Sequence, residues 1–470
     1  MEREEKSETK QLLSVWDTVS ILIGIVVGTS IFKAPPLVFG NVSESSTGLL
    51  VWGLGAFISL CGALCYCELA TTYPGFGGEY QYLSQAYGRR TGFLFAWMQL
   101  CVILTGSIGA MAFVFSDYSV TLAAGLKNHQ AAVASSALVL LTLIHSSGLS
   151  AGKLVQNFLT VAKVLALGAI LVVGCFYSAA PEAAVTSTAN TESNMGLALV
   201  FVLYAYGGWN DAAMVTPEVR DHQRNMPKAL LFGLGLTALL YLSLNVAFLK
   251  VLGFDGVRTS AIPAAEIVEI AFGRSASIVM GLIVMLSALG AIHGMLFVSC
   301  RLLAAVGDDY ALFRRWSEWN KRGVPLVSLL TITGISLFLV LAVGTENGRV
   351  LTANAAVSIG LPKPDWAKYF GGFDTLVAAT APIFWAFFAM SGFAVSILRF
   401  TDRDRPRPFR VPFYPLPVIV FCFFSLFMLW KSLEYAKELT LLSLPVFVLG
   451  MILSMTRTTD SEGSNSTGTK

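Results

Sequence analysis

Charged residues are scarce in this chain of 470 residues: Asp, Glu, Lys and Arg together make up 13% of it. Soluble domains carry about 25%, so the deficit excludes an ordinary soluble protein. Only four histidines occur, at positions 129, 145, 222 and 293 on unrelated segments. The sequence thus lacks a nucleophile–base set or a metal cluster, and we predict neither an enzyme nor a cofactor. The seven cysteines lie inside apolar segments without metal-ligand spacing, which is typical of buried core residues.

Hydrophobic residues instead make up 55% of the chain, and the mean hydropathy is +0.67. At about 20 residues per span, the apolar runs predict an all-α integral membrane protein with twelve transmembrane helices. Lys and Arg concentrate in alternate loops, with clusters at 220–228, 314–322 and 403–410. The positive-inside rule then places both termini in the cytoplasm.

Glycine and proline interrupt two of the predicted helices. Residues 21–36 (ILIGIVVGTSIFKAPP) break at Gly28-Thr29-Ser30, and residues 199–217 (LVFVLYAYGGWNDAAMVTP) break at Gly207-Gly208. An unwound turn in hydrocarbon exposes N–H and C=O groups, each at a cost of several kcal/mol unless something binds it. Two such breaks, half a chain apart, therefore predict the substrate site of a transporter.

Each break opens a group of five predicted helices, and this suggests the domain organisation. We interpret residues 12–178 and 196–400 as two five-helix repeats, followed by helices 11 and 12 over 401–456. Because five is odd, the second repeat must start on the opposite membrane face, which makes the pair inverted. This 5+5 arrangement with broken helices 1 and 6 is similar to the leucine-transporter fold. Residues 1–11 and 457–470 are predicted to be cytoplasmic tails, the second of them disordered.

Six motifs in order carry a resemblance to a known superfamily. They are GTSIF (28–32), GALCYCELATTYPGFGGEYQYL (62–83), YAYGGWND (204–211), TPEVRDHQRNMPKA (216–229), SALGAIHG (287–294) and RPFRVPFYPLP (407–417). Together they resemble the amino acid–polyamine–organocation superfamily, and the Gly-Gly-Trp-Asn element is most similar to the L-type amino acid transporters and their bacterial relatives. The resemblance implies a secondary transporter that moves neutral L-amino acids by alternating access, in sodium-independent exchange. A proton-coupled symporter or an amino acid sensor on the same scaffold is the alternative.

A zwitterionic amino acid needs donors for its carboxylate and acceptors for its ammonium, and broken helices supply both. We expect the carboxylate to bind at the first break, at Gly28, Thr29, Ser30 and Ile31. The ammonium would face the carbonyl groups of the last turns before each break, from Val26, Val27, Tyr204 and Ala205. Gly207 completes the site, Tyr204 is the predicted outer gate, and Asn210 is expected to satisfy carbonyls freed from the second helix.

Two departures from the L-type pattern bear on the substrate. The first break usually reads Gly-Ser-Gly in that family, so the side chain of Ser30 either narrows the pocket or adds a hydroxyl. Gly207 stands where relatives with cationic substrates carry an acid, which argues against lysine or arginine as substrates.

Ionisable residues within membrane spans are costly and therefore informative. Lys163 matches the lysine that similar sodium-independent transporters hold where sodium-coupled ones bind the ion. Its ammonium would bridge the first and eighth spans; a purely structural lysine or a proton carrier is the alternative. His293 replaces the amide that the family implies in the eighth span, and it is either a proton relay or a satisfied polar residue.

The resemblance also implies which partners to expect. Eukaryotic L-type transporters are joined to a single-span glycoprotein through a cysteine in the loop after span 3. Here that loop, residues 121–130 (TLAAGLKNHQ), has no cysteine. We therefore expect no disulfide-linked heavy chain and no nucleic-acid partner. The sequence predicts a stand-alone carrier in the cytoplasmic membrane of a bacterium, in contact with lipid and a small amino acid substrate.

Overall fold

The computed structural model describes residues 13–27, 30–75, 77–120, 122–147, 149–177, 193–260, 263–366, 368–369 and 372–456. Throughout these ranges the regular structure is helical, apart from one parallel bridge between Leu13 and Val219. The predicted all-α class is therefore confirmed for the described residues. The predicted tails and two residues of the first break, Gly28 and Thr29, lie outside the described ranges.

The helices are labelled here in chain order. They are α1 Val15–Val26, α2 Ser30–Gly40, α3 Ser45–Thr72, α4 Glu79–Tyr87, α5 Arg89–Met98, α6 Leu104–Ser119, α7 Gln130–Ser146, α8 Leu149–Phe176, α9 Met195–Tyr206, α10 His222–Thr259, α11 Pro263–Phe272, α12 Arg274–Asp309, α13 Leu326–Gly344, α14 Glu346–Ser358, α15 Gly372–Thr401, α16 Leu416–Leu442 and α17 Leu444–Leu453. A π-helical turn, Gln99–Ile103, joins α5 to α6, and 3₁₀ segments cover Ala124–His129, Trp209–Glu218 and Ala311–Ser317.

Several of these helices are long and apolar enough to cross a membrane. Within the described ranges there are seven: Ser45–Thr72, Arg89–Ser119, His222–Thr259, Arg274–Asp309, Leu326–Gly344, Gly372–Thr401 and Leu416–Leu442. The pair α1 and α2, bent by 50°, makes an eighth if it counts as one span. Shorter apolar helices cover Gln130–Ser146, Lys163–Phe176 and Leu444–Leu453. The chain is thus a multi-pass membrane protein, while the count of twelve spans stays a prediction.

The start of α1 is tied to the end of the 3₁₀ segment Trp209–Glu218. The Ser14 side chain caps α1 and exchanges hydrogen bonds with Asp17. Just before it, the Leu13 N–H donates to the Glu218 carbonyl at 2.9 Å, and the Arg220 N–H donates to the Leu13 carbonyl at 2.9 Å. The start of α1 is therefore held against the end of the segment that follows the second break.

Two consecutive glycines form the second break, between α9 and the 3₁₀ segment. Gly207 is extended, and Gly208 is left-handed with φ +97°. A Cβ on Gly208 would lie 2.9 Å from Cγ2 of Ile25, in the last turn of α1. Glycine is required here twice over, because L-residues avoid this φ and because the backbone of one break touches the other.

We predict that Gly208→Ala destabilises the fold, since a left-handed non-glycine residue costs about 1–2 kcal/mol before the clash with Ile25 is added. Thermal unfolding in detergent measures the effect. The control is Gly235→Ala, at an exposed position in α10 where a Cβ meets nothing within 4 Å. A lower melting temperature for the first variant alone is expected; equal melting temperatures would contradict the constraint.

Candidate functional site

A cavity of about 110 Å³ lies between the two helix breaks. Its wall comes from the ends of α1 and α2, the second break, the π turn with α6, one residue of α12, and α15. The lining residues are Ile25, Val26, Ser30, Gln99, Ile103, Leu104, Ser107, Met111, Leu203, Tyr204, Gly207, Gly208, Asn210, Asp211, Met295, Thr380, Ala381, Phe384 and Trp385. Of the predicted substrate-binding residues, the structure brings Val26, Ser30, Tyr204, Gly207 and Asn210 together on this wall.

Side chains from other helices bind the carbonyl groups freed at the end of α1. The last carbonyls of a helix have no N–H partner one turn ahead, and here the helix stops at Val26. Lys163, which is 1% exposed, donates from Nζ to the Gly24 carbonyl at 2.9 Å. The Tyr241 hydroxyl donates to the Val26 carbonyl at 2.8 Å. The unwound turn is therefore supported from α8 and α10 while its cavity side stays open.

Ser30 begins α2 and links the two breaks. Its hydroxyl lies 3.5 Å from the carbonyl oxygen of Ala205, near the end of α9. Val27, Ile31 and Ala205 are fully buried and lie behind the cavity wall. The extra side chain at Ser30 thus spans from one break to the other, which explains how this chain accommodates a serine at that position.

Tyr204 lies on the cavity wall, in the last turn of α9. Its half-buried ring meets the ring of Phe373 edge-on, with centroids 6.2 Å apart. The ammonium of Lys33 lies 5.8 Å from the same Phe373 ring and pairs with Asp117 at 3.1 Å. An aromatic pair and an ion pair therefore lie together around Phe373, while the gate at Tyr204 stays a prediction.

A buried ion pair joins the end of the 3₁₀ segment to α12. Arg301 donates to Glu218 from Nε at 2.5 Å and from Nη2 at 3.2 Å. Such two-pronged pairs are geometrically specific as well as strong. Together with the Leu13–Val219 bridge, this pair joins the end of the 3₁₀ segment to α12 and to the start of α1.

The hydrogen-bond partners of Asn210 are not those expected from the sequence. Its amide nitrogen donates to two carboxylates, Glu79 at 3.2 Å and Asp211 at 3.1 Å, and not to freed carbonyl groups. The expectation is wrong because the chain after Gly208 continues as 3₁₀ turns, whose backbone bonds include the Asp211 N–H to the Gly208 carbonyl at 3.2 Å.

Neither of the two ionisable residues singled out in the sequence lies on the cavity wall. Lys163 stands behind α1, where it supports the break through Gly24. His293 is buried in α12 beside His145, with ring centroids 5.3 Å apart. Their proposed roles in ion replacement or proton coupling stay predictions.

Sequence reasoning missed four polar residues on the wall, Gln99, Ser107, Asp211 and Thr380, of which two carry an amide or a carboxyl group. Asp211 follows Asn210 directly and is 9% exposed, and Gln99 opens the π turn and is 2% exposed. Helix interruptions of this π type occur frequently at functional sites. Asp211 belongs to a motif that the sequence analysis had quoted, YAYGGWND. Gln99 is a single amide within a long apolar run, and its polarity in that run was the one sequence signal available for it.

Comparison with known proteins decides the family. The amino acid permease family model matches residues 13–453, which is nearly the whole chain. This chain belongs to the amino acid permease family. The permease is 28% identical to mouse b(0,+)-type amino acid transporter 1 over 86% of its own length and 78% of that protein's. It is also 28% identical to human large neutral amino acids transporter small subunit 2, over 94% of its own length and 81% of that protein's. The resemblance to the L-type transporters is confirmed.

We predict that Lys163→Ala lowers transport turnover about tenfold or more, since a charged hydrogen bond to a buried carbonyl contributes ~1.5–3 kcal/mol. Initial rates of amino acid flux, divided by the amount of protein in the vesicles, measure this. Lys250→Ala is the matched control, because Lys250 also donates to a carbonyl, that of Cys175, but is exposed. Wild-type turnover in the Lys163 variant would assign that lysine to packing.

Proposed function

We propose that this permease carries neutral L-amino acids across the cytoplasmic membrane by alternating access, in sodium-independent exchange. The observation that carries the proposal is the cavity between two interrupted helices, walled by backbone and side chains from both breaks. A pocket at such a break offers free N–H and C=O groups to a zwitterion, so no formal charge on the protein is needed. The fold we propose is the inverted-repeat, leucine-transporter arrangement with both termini cytoplasmic.

The substrate carboxylate would bind at the start of α2, where the first N–H groups of a helix lack intrahelical acceptors. Ser30 supplies the first of these groups and lies on the wall. The ammonium would share the carbonyl of Val26, which already accepts from Tyr241 and has a second lone pair to offer. A zwitterion placed this way spans the gap between the two breaks.

The substrate side chain would point toward α6 and α15. The wall there is largely apolar, formed by residues such as Ile103, Met111, Phe384 and Trp385. An apolar wall favours a neutral side chain, and a cavity of about 110 Å³ favours small to medium ones. The name of one relative, large neutral amino acids transporter, supports the same class.

Alternating access would use the contacts at the two ends of the cavity. The Tyr204–Phe373 ring pair and the Lys33–Asp117 ion pair would open on one side. The Arg301–Glu218 pair would open on the other, at a greater cost because it is buried and bidentate. Opening one end while the other stays closed moves the cavity from one face of the membrane to the other.

Sodium independence is supported by Lys163. A tethered ammonium that binds the Gly24 carbonyl already supplies a positive charge at the interrupted end of α1. The carrier is proposed to act alone, in a bacterial membrane, because the segment 121–130 offers no cysteine for a disulfide to a second subunit.

The test of function is radiolabelled alanine flux in proteoliposomes loaded with alanine, with external sodium replaced by choline. We expect saturable exchange of equal rate in both salts, because Lys163 makes a bound sodium ion unnecessary. Arginine should be carried far more slowly than alanine, since a cationic side chain against an apolar wall lacks a partner. Loss of uptake in choline, or arginine flux equal to alanine flux, would contradict the proposal. Binding without flux would indicate a sensor.

Tyr204→Ala is predicted to slow exchange more than it weakens substrate binding, because a gate must move in every cycle whereas a pocket wall acts on affinity. Equilibrium binding in detergent and exchange rates in proteoliposomes measure the two effects. Tyr177→Ala is the control, since Tyr177 is exposed and lies at the end of α8. An equal loss of binding and flux would contradict the gate and assign the Tyr204 ring to substrate binding alone.

A further inference from the structure

Two buried carboxyl groups share one amide beside the cavity. Glu79, at the start of α4, is 2% exposed, and Asp211 is 9% exposed. The amide nitrogen of Asn210 donates to Oε2 of Glu79 at 3.2 Å and to Oδ1 of Asp211 at 3.1 Å. Glu79, Asn210 and Asp211 are called the acidic triad here. The two carboxyl groups therefore lie one side-chain amide apart.

Within the described ranges, the acidic triad has no cationic partner, whereas two other carboxylates with little exposure do. Glu68 binds Arg399 in a bidentate pair, and Glu218 binds Arg301 in another. Among the described residues, no Lys, Arg or His lies within ion-pair distance of Glu79 or Asp211. Unpaired buried charge is expensive, so two negative charges at this spot require a positive one.

The groups that face the acidic triad confirm the shortage of positive charge. The hydroxyl of Tyr66, on α3, donates to Oε1 of Glu79. Tyr82, on the same helix as Glu79, and the hydroxyl of Ser391, on α15, face it as well. Glu79 is the charged group that faces Asp211 among the described residues. Each of these neighbours, all from the described part of the chain, is thus neutral or negative.

A second observation points to a ligand that donates hydrogen bonds. Two buried amide oxygens on the cavity wall, Oδ1 of Asn210 and Oε1 of Gln99, have no hydrogen-bond partner among the described residues. Buried amide oxygens are normally bonded. The cavity that Asp211 lines therefore offers acceptors without donors, one of them within the acidic triad itself, and one added proton would supply both a donor and a positive charge.

We propose that the acidic triad binds one proton, received through the cavity at Asp211, and that this proton travels with the amino acid. The step is a plain transfer: hydronium in the cavity gives its proton to a carboxylate oxygen of Asp211, and water takes it back after the cavity has opened on the other side. Asp211 is the entry point because it lies on the wall and Glu79 does not. The inference rests on the proposed function and adds a coupling ion to it.

The position of Asp211 links its protonation to the substrate. It follows Gly208 by three residues, so its carboxyl group is about one turn from the unwound backbone that would hold the amino acid. Since proton and substrate share one cavity, both reach solvent on the same side. In exchange, one proton would cross in each direction with an amino acid, so a pH gradient would not drive it. In net uptake, each amino acid would bring in one proton, so an inward proton gradient would drive accumulation.

The experiment uses the whole chain in proteoliposomes with the membrane potential clamped at zero and a pH dye inside. An inward proton gradient of about tenfold, worth about 1.4 kcal/mol, should accumulate alanine up to about tenfold and acidify the interior when alanine is added. Asp211→Asn imitates the protonated side chain, so both effects should be lost when they are expressed relative to the alanine exchange rate that the variant itself shows. Asp255→Asn, at an exposed pair with Arg258, should behave as wild type.

The possible results of this experiment separate a failure of the proton site from a failure of the proposed function. Alanine exchange by the wild type without accumulation or acidification would overturn the proton site and leave the proposed transport intact. The absence of all alanine flux would overturn the proposed function with it. Gradient-driven accumulation of alanine retained by Asp211→Asn would also refute the proton role. If Asp211→Asn fails to fold, Glu79→Gln, which removes the other charge of the pair, must lower the accumulation ratio; an unchanged ratio would overturn the proposal.

Discussion

The structure depends on how it satisfies backbone groups that two interrupted helices leave open inside an apolar bundle. Bare carbonyls there would cost several kcal/mol each. Lys163 binds the carbonyl of Gly24, Tyr241 binds that of Val26, and Ser30 reaches that of Ala205. These three contacts come from different helices, so the breaks are stable only when the bundle is assembled around them. The two breaks, which would be unstable in an isolated helix, are thereby held in a fixed conformation by the assembled bundle.

The same constraint explains the distribution of charge. Buried carboxylates that serve the scaffold are neutralised by arginine, as Glu218 is by Arg301. Glu79 and Asp211 are different, because the hydrogen-bond donors that they meet among the described residues carry no charge. They also lie beside the cavity, where a mobile cation has access. Carboxylates of the scaffold are therefore neutralised by an arginine of the protein. The carboxyl groups beside the cavity depend instead on a cation from solvent, which is the proton we propose.

Much of the fold could be predicted from the sequence, because hydropathy and helix-breaking residues act locally. The break at Gly207-Gly208 is where the glycines place it, and Tyr204 and Ser30 lie on the cavity wall. The partners of Asn210 could not be predicted: its contact with Glu79 joins residues 131 positions apart. Gln99 was missed for a similar reason, since no local pattern shows which face of a long apolar helix meets the cavity.

The central claim is that the substrate occupies the gap between the two breaks, held by backbone groups. The most direct test is a cryo-electron microscopy structure in lipid nanodiscs at saturating alanine. The account predicts density for the amino acid between Ser30 and Gly207, its carboxylate at the start of α2 and its ammonium near the Val26 carbonyl. Density elsewhere, with this cavity filled only by water, would contradict it.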